Sequence, residues 1–132
     1  MSSSRPSTIH GRWNESPDAV TLIDAHHHVW DLDRNYYPWL RDHPEPNFFL
    51  GNYDGLKRNY LPEHYRADAS AHNVLATVHC EAEWDRNDQV GETRWLTQLS
   101  AEQGMPAAIV AHAWFHTDNS AEVLARQAEF PM

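Results

Sequence analysis

A single cysteine, Cys80, among 132 residues excludes an intrachain disulfide and fits a reducing compartment. Positive charge is also scarce, with 10 Lys plus Arg against 19 Asp plus Glu and a formal charge of -9. That imbalance disfavours a nucleic-acid backbone or an anionic membrane as partner and points to a small-molecule substrate or a protein partner. No stretch approaches the roughly 20 apolar residues of a membrane span. The opening residues, Met1-Ser2-Ser3-Ser4-Arg5-Pro6-Ser7-Thr8, lack the apolar core of a secretory signal, so the expected location is cytoplasmic.

What is present suffices for a folded domain: 41% hydrophobic and 11% aromatic residues can fill a core. Ten histidines are many for this length, which raises the expectation of metal affinity or pH sensitivity, although most should be ordinary surface residues. Residues 1–19 are rich in Ser, Pro and polar groups and read as a flexible leader; residues 20–132 read as the domain.

The first apolar stretch, Val20-Thr21-Leu22-Ile23, runs into Asp24-Ala25-His26-His27-His28-Val29-Trp30. As a strand over about 22–30, its alternation points Asp24, His26 and His28 one way and Ala25, His27 and Val29 the other. Two imidazoles from one rigid strand are half of a divalent-metal site, because a catalytic zinc takes three protein ligands and keeps a position open for water. The competing reading is two histidines in a turn that bind nothing. Asp24 is assigned to orienting an imidazole, with a buried structural aspartate as the alternative. His27 is expected to face the helix layer and be structural.

Residues 31–59 form a long loop with Pro38, Pro44, Pro46, Gly51 and Gly55 among six aromatics, and we read it as a lid that packs over something. A short helix over 62–71 is expected, with Pro62 in the first turn and Glu63 at its positive end. A second strand over 74–84 places His79, Glu81 and Glu83 on one parity. A helix over 88–103 should stop at Gly104 and Pro106, a third strand over 107–115 follows, and Asn119 with Glu122 predicts a capped helix over 120–129. This alternation builds a parallel α/β sheet whose raw edges suggest part of a larger fold and self-association through an exposed sheet edge.

Asp24-Ala25-His26-His27-His28-Val29-Trp30-Asp31 followed by Tyr37-Pro38-Trp39-Leu40 resembles the start of the amidohydrolase-related family, in its lactonase-like branch of fuconolactonase-like, sulfomuconolactonase-like and pyrone-dicarboxylate-lactonase-like hydrolases. Val78-His79-Cys80-Glu81-Ala82-Glu83-Trp84-Asp85 with Glu92-Thr93-Arg94-Trp95-Leu96 is similar to the family's second strand and helix, and Ile109-Val110-Ala111-His112-Ala113 to its third strand. The resemblance covers about 22–131. It implies a (β/α)8 TIM barrel, of which this chain holds about three βα units, since eight strands take about 250 residues.

The resemblance further implies, for a full-length protein, hydrolysis of a sugar-derived or aromatic-degradation lactone. His26 and His28 would hold a divalent metal, expected to be zinc, and a carboxylate general base would activate water. Some members of the branch work without a tightly held metal, in which case the same histidines hydrogen-bond substrate. The family's later-strand histidines and aspartate have no counterpart here, so the chain alone is expected to be inactive. Glu81 is the candidate substrate contact, with His79 and Glu83 as lesser ones and a salt-bridged strand-end role as the competing reading. Trp30 and Trp39 serve either as an apolar wall or as core packing. The spacing of His112 and His116 does not separate ligand from surface residue, and Cys80, flanked by acids, is a poor nucleophile. A decarboxylase or hydratase on the same barrel, and a non-catalytic interaction protein, are the alternative functions.

Overall fold

The computed structural model of the chain describes residues 18–131, so the expected leader lies outside the described residues except for positions 18 and 19. Three parallel strands, β1 (Thr21–His27), β2 (Asn73–Cys80) and β3 (Ala108–Val110), form one sheet in the order β1-β2-β3. Three helices alternate with them: α1 (Pro62–Asp68), α2 (Gly91–Gln103) and α3 (Ser120–Gln127). The mixed α/β class and the alternation agree with the sequence reading.

The strands are shorter than expected, and the reasons lie in where their backbone groups are satisfied. β2 gives its last sheet bond where the Glu81 amide donates to Val110 O at 3.0 Å. The next amide, on Ala82, donates instead to the Glu92 carboxylate at 3.1 Å, and Glu83 turns the chain away at a φ of 55°. β3 stops at Val110 because side chains take over its partners. Gln127 Nε2 donates to His112 O at 2.8 Å, and the Trp114 amide donates to Gln89 Oε1 at 3.1 Å.

α1 opens at Pro62 as expected, and the Leu61 amide donates to His64 Nδ1 at 3.0 Å. α2 begins three residues later than its sequence pattern suggests, because 85–91 are occupied by successive turns in which the Asp88 amide donates to Asp85 O and the Gly91 amide to Asp88 O. It ends at Gly104, whose φ of 73° is the left-handed conformation that closes a helix. The expected cap of α3 does not form. Asn119 has φ -92° and ψ 8° rather than the extended backbone that aims a capping oxygen at the first turn, and it makes no side-chain cap bond.

The strict alternation expected of β1 fails at a bulge. Asp24 pairs with Thr77 and His27 with His79, so three residues of β1 advance against two of β2. Asp24 and His27 therefore share a face. Both meet Tyr65 of α1: its hydroxyl donates to Asp24 Oδ2 at 2.7 Å, and its ring lies 4.9 Å from that of His27. Leu22, Val74 and Met105 pack around Tyr65 on this helix-covered side. A second irregularity, at Leu75, lets Ile23 face Ala76. The opposite side of the sheet is open, with Ile23 62% and Val110 54% exposed.

A second core belongs to the 31–59 loop. Trp30, Tyr37, Leu40, Tyr53 and Ala82 are buried together, with Trp39, Phe48 and Trp84 packed against them. The loop is closed at its base by an antiparallel bridge in which Trp30 and Tyr60 exchange amide bonds of 2.8 and 3.0 Å. Trp39 Nε1 ties it to the end of β2 by donating to Ala82 O at 2.9 Å.

Tyr65→Phe removes the donor to a half-buried carboxylate while keeping the ring, and is expected to cost about 1–3 kcal/mol in urea unfolding. A variant as stable as the parent would show that the Asp24–Tyr65 bond does not hold the bulge.

Candidate functional site

The bulge divides the three consecutive histidines. Asp24 Oδ1 accepts the His26 amide at 3.1 Å, which fixes the backbone turn, and the His26 and His28 rings then converge with their Nε2 atoms 3.3 Å apart. The expected pairing of these two imidazoles is thus present. Their ring planes stand at 75°. His28 Nδ1 donates to Cys80 O at 2.9 Å; a carbonyl only accepts, so that nitrogen carries the proton and Nε2 of the neutral ring presents a lone pair. Tetrahedral zinc with bonds of 2.0–2.1 Å separates two nitrogen ligands by about 3.3–3.4 Å, so the two Nε2 atoms stand at the spacing of one edge of that tetrahedron. Among the described residues, no group of three or more His, Cys, Asp or Glu side chains is gathered as a metal centre, so the pair supplies two donors and no third.

Asp24 does not orient either imidazole. The bulge carries it to the helix side, where its oxygens accept from the Tyr65 hydroxyl and the His26 amide, which matches the alternative of a structural aspartate. His27 is buried on that side as expected, and burial lowers its pKa to about 4 despite the nearby Asp24 carboxylate. His79 was expected to share a face with Glu81 at the strand end. It is instead fully buried between the rings of His27 and His28, with Nε2 donating to Val29 O at 3.2 Å, and burial lowers its pKa to about 3. It is a neutral packing histidine beneath the pair.

Glu81 lies beyond the last residue of β2 and escapes that alternation. It lines a cleft of about 580 Å³ together with His28. Its Oε2 accepts the Glu83 amide at 2.9 Å and stands 3.4 Å from His112 Nδ1, so the carboxylate is held at the strand end while it lines the cleft. Trp30 and Trp39 form part of the opposite wall, their rings 5.9 Å apart at 82°, and also belong to the loop core. Phe48 stacks on Trp39 at 24°, and Phe49 stands 84% exposed at the rim. His116 is an exposed neighbour of Trp114. Burial together with the Glu81 and Asp24 carboxylates raises the Cys80 thiol pKa, as an unreactive cysteine requires.

One residue that site reasoning passed over is Glu92. It is almost fully buried at the start of α2, both its oxygens receive the Ala82 amide, and burial raises its pKa to about 8, helped by Glu81 and Glu83 and opposed by that amide bond. An acid in a first helical turn reads from sequence as a complement to the helix dipole. Only the fold shows that it caps β2 and so holds Glu81 at the cleft.

A protein of Sinorhizobium fredii (strain NBRC 101917 / NGR234) described as "Uncharacterized protein y4mH" is 36% identical to this chain over 111 residues. The match covers 84% of this chain and 37% of that relative, so the chain spans well under half the length of the curated relative it matches. No family model and no solved structure matches. Among the described residues, no helix is long and apolar enough to cross a membrane.

Glu92 carries a pH signature whose sign is fixed. Its folded pKa of about 8 lies above the ordinary 4.5, so the folded chain keeps a proton that the unfolded chain has released, and stability falls as pH rises through that window. The slope is up to about 1.4 kcal/mol per pH unit. Glu92→Gln keeps an acceptor for the Ala82 amide and loses the titration. Urea unfolding should show the variant gaining on the parent between pH 5 and pH 8; parallel pH dependences would exclude a titrating Glu92.

Proposed function

We propose that this chain is the opening part of a (β/α)8 hydrolase of the amidohydrolase-related type, acting on the ester of a lactone, with His26 and His28 as ligands of a divalent metal, zinc by preference. The observation that carries this reading is the 3.3 Å approach of the two Nε2 atoms at the C-terminal end of the first parallel strand, the end at which barrels of this kind place their chemistry. The open face bearing Ile23 and Val110 supports it too, because a barrel's strands turn such a face inward.

The donor set fits a metal in part. His28 is held in the ligating tautomer by Cys80 O, and the Nδ1–H tautomer of His26, reached by proton exchange with water, frees the second lone pair. A bound divalent ion supplies Lewis acidity toward a carbonyl and lowers the pKa of water. This chain's own residues do the rest of what the reading needs from it. Glu81 faces the cleft with a carboxylate fixed by the Glu83 amide and His112, suited to accept a substrate hydroxyl. The 31–59 loop supplies one apolar side of the cleft. Asp24 is a positioning residue, since it holds the bulge that pairs the histidines.

A non-catalytic interaction role is favoured by the same open face, since an apolar sheet surface invites a partner. On that reading the histidine pair would have no affinity for metal. Zinc titration by calorimetry separates the two. The parent chain should bind one zinc per chain, and a His26→Ala, His28→Ala double variant should weaken binding at least tenfold. Equal zinc affinity in both proteins would remove the ligand assignment and with it the hydrolase reading.

A further inference from the structure

We infer that the cleft between the 31–59 loop and the ends of β1 and β2 selects an uncharged, ring-bearing ester and turns away dianionic acids. The inference names the substrate class of the site proposed above and rests on that reading only for the ester. The choice of a neutral ring comes from the cleft itself. Its volume of about 580 Å³ lies in the range that holds a one- or two-ring ligand.

One wall is built by the loop. Trp39 and Phe48 are stacked with centroids 5.8 Å apart, Phe49 follows 5.0 Å beyond Phe48, and Leu50 and Leu56 continue the surface. Phe49 is 84% and Leu50 69% exposed, an apolar area at the mouth that a flat ring would cover. Trp39 is fixed by its bond to Ala82 O and by Tyr53, whose hydroxyl donates to Trp39 O at 3.0 Å, so this wall is formed before a ligand arrives.

The polar side of the cleft sets the charge. Glu45, Glu81 and Glu83 face it against a single guanidinium, that of Arg86. Arg86 is itself committed, with its Nη2 3.7 Å from Glu83 Oε2 and its guanidinium 5.0 Å from the Trp114 ring centre. Arg86 is thus the one Lys or Arg among the described residues lining the cleft, and it already faces a carboxylate of the same lining. In the metal-free chain a dianion would give up hydration to meet a net negative surface, whereas an uncharged ring loses little and covers the exposed wall. Glu81 adds an acceptor for a ring hydroxyl or similar donor.

The test is ligand-observed NMR and calorimetry on the 132-residue chain at low ionic strength, with dihydrocoumarin as the neutral aromatic lactone and phthalate as a dianion of similar size. Dihydrocoumarin should bind saturably and phthalate should not. Phe49→Ala, at a position too exposed to unsettle the fold, should weaken dihydrocoumarin about tenfold. Glu81→Gln combined with Glu83→Gln should admit phthalate. Phthalate binding as tightly as dihydrocoumarin, binding of neither, or binding of dihydrocoumarin untouched by Phe49→Ala would each overturn the assignment. Because the readout is binding, it stands apart from catalysis: bound but unhydrolysed dihydrocoumarin would keep the cleft's selectivity, and the hydrolase reading stands or falls on the zinc titration instead.

Discussion

A single irregularity in the first strand governs where the histidine pair and Asp24 stand. An unbroken strand would put Asp24, His26 and His28 on one face, and the aspartate would crowd the imidazoles. The bulge after Asp24 moves that carboxylate to the helix side, where Tyr65 donates to it, and the same carboxylate accepts the His26 amide that forms the turn. One acidic side chain thus joins α1 to β1 and fixes the backbone turn that carries the histidine pair. Bulges near functional sites commonly re-aim side chains in this way. Beneath the pair, His27 and His79 are kept neutral by burial, so the exposed pair rests on a layer that adds no positive charge.

The second constraint is the loop over residues 31–59. Long loops in compact domains need packing of their own to hold one shape. Here Tyr37 and Leu40 are buried with Tyr53, and the Trp30–Tyr60 bridge ties the two ends together. The Trp39–Ala82 bond then fastens the loop to the end of β2. Because Ala82 also gives its amide to Glu92, the backbone just after Glu81 is held from two directions, by the loop through a carbonyl and by α2 through an amide. A buried acid at a helix start is costly unless it is bonded or neutral, and the raised pKa of Glu92 shows which course this fold takes.

Much of this was legible in the residues. Apolar runs and stop signals located the three strands and three α-helices of the described residues, Gly104 closed α2 as its type demands, and the aromatic load of the loop foretold its packing. The convergence of His26 and His28 was also readable. What failed was alternation carried past its range. Parity grouped Asp24 with the histidine pair and His79 with Glu81, but a bulge intervened in the first case and the strand had ended in the second. Neither feature has a local signal, since Ala25 and Ala82 carry no glycine or proline to mark a break. The Asn119–Glu122 pattern had the right residue types, and the backbone at Asn119 simply adopts another conformation.

Two imidazoles define one edge of a tetrahedron and leave its other corners to be filled. Glu81 is poorly placed to move onto a metal, because its Oε2 is already engaged by the Glu83 amide and His112. Asp24 is turned away by the bulge. A pair of nitrogen donors alone holds zinc weakly, since a catalytic site ordinarily commits three protein ligands. On the proposed reading, then, the remaining donors belong to water, to substrate, or to residues outside this chain, and the sheet face with Ile23 and Val110 is the side from which such residues would approach. The relative from Sinorhizobium fredii, of which the match covers 37%, has the length to carry them. On that reading the 132-residue chain binds metal more weakly than a protein that brings a third ligand to the pair.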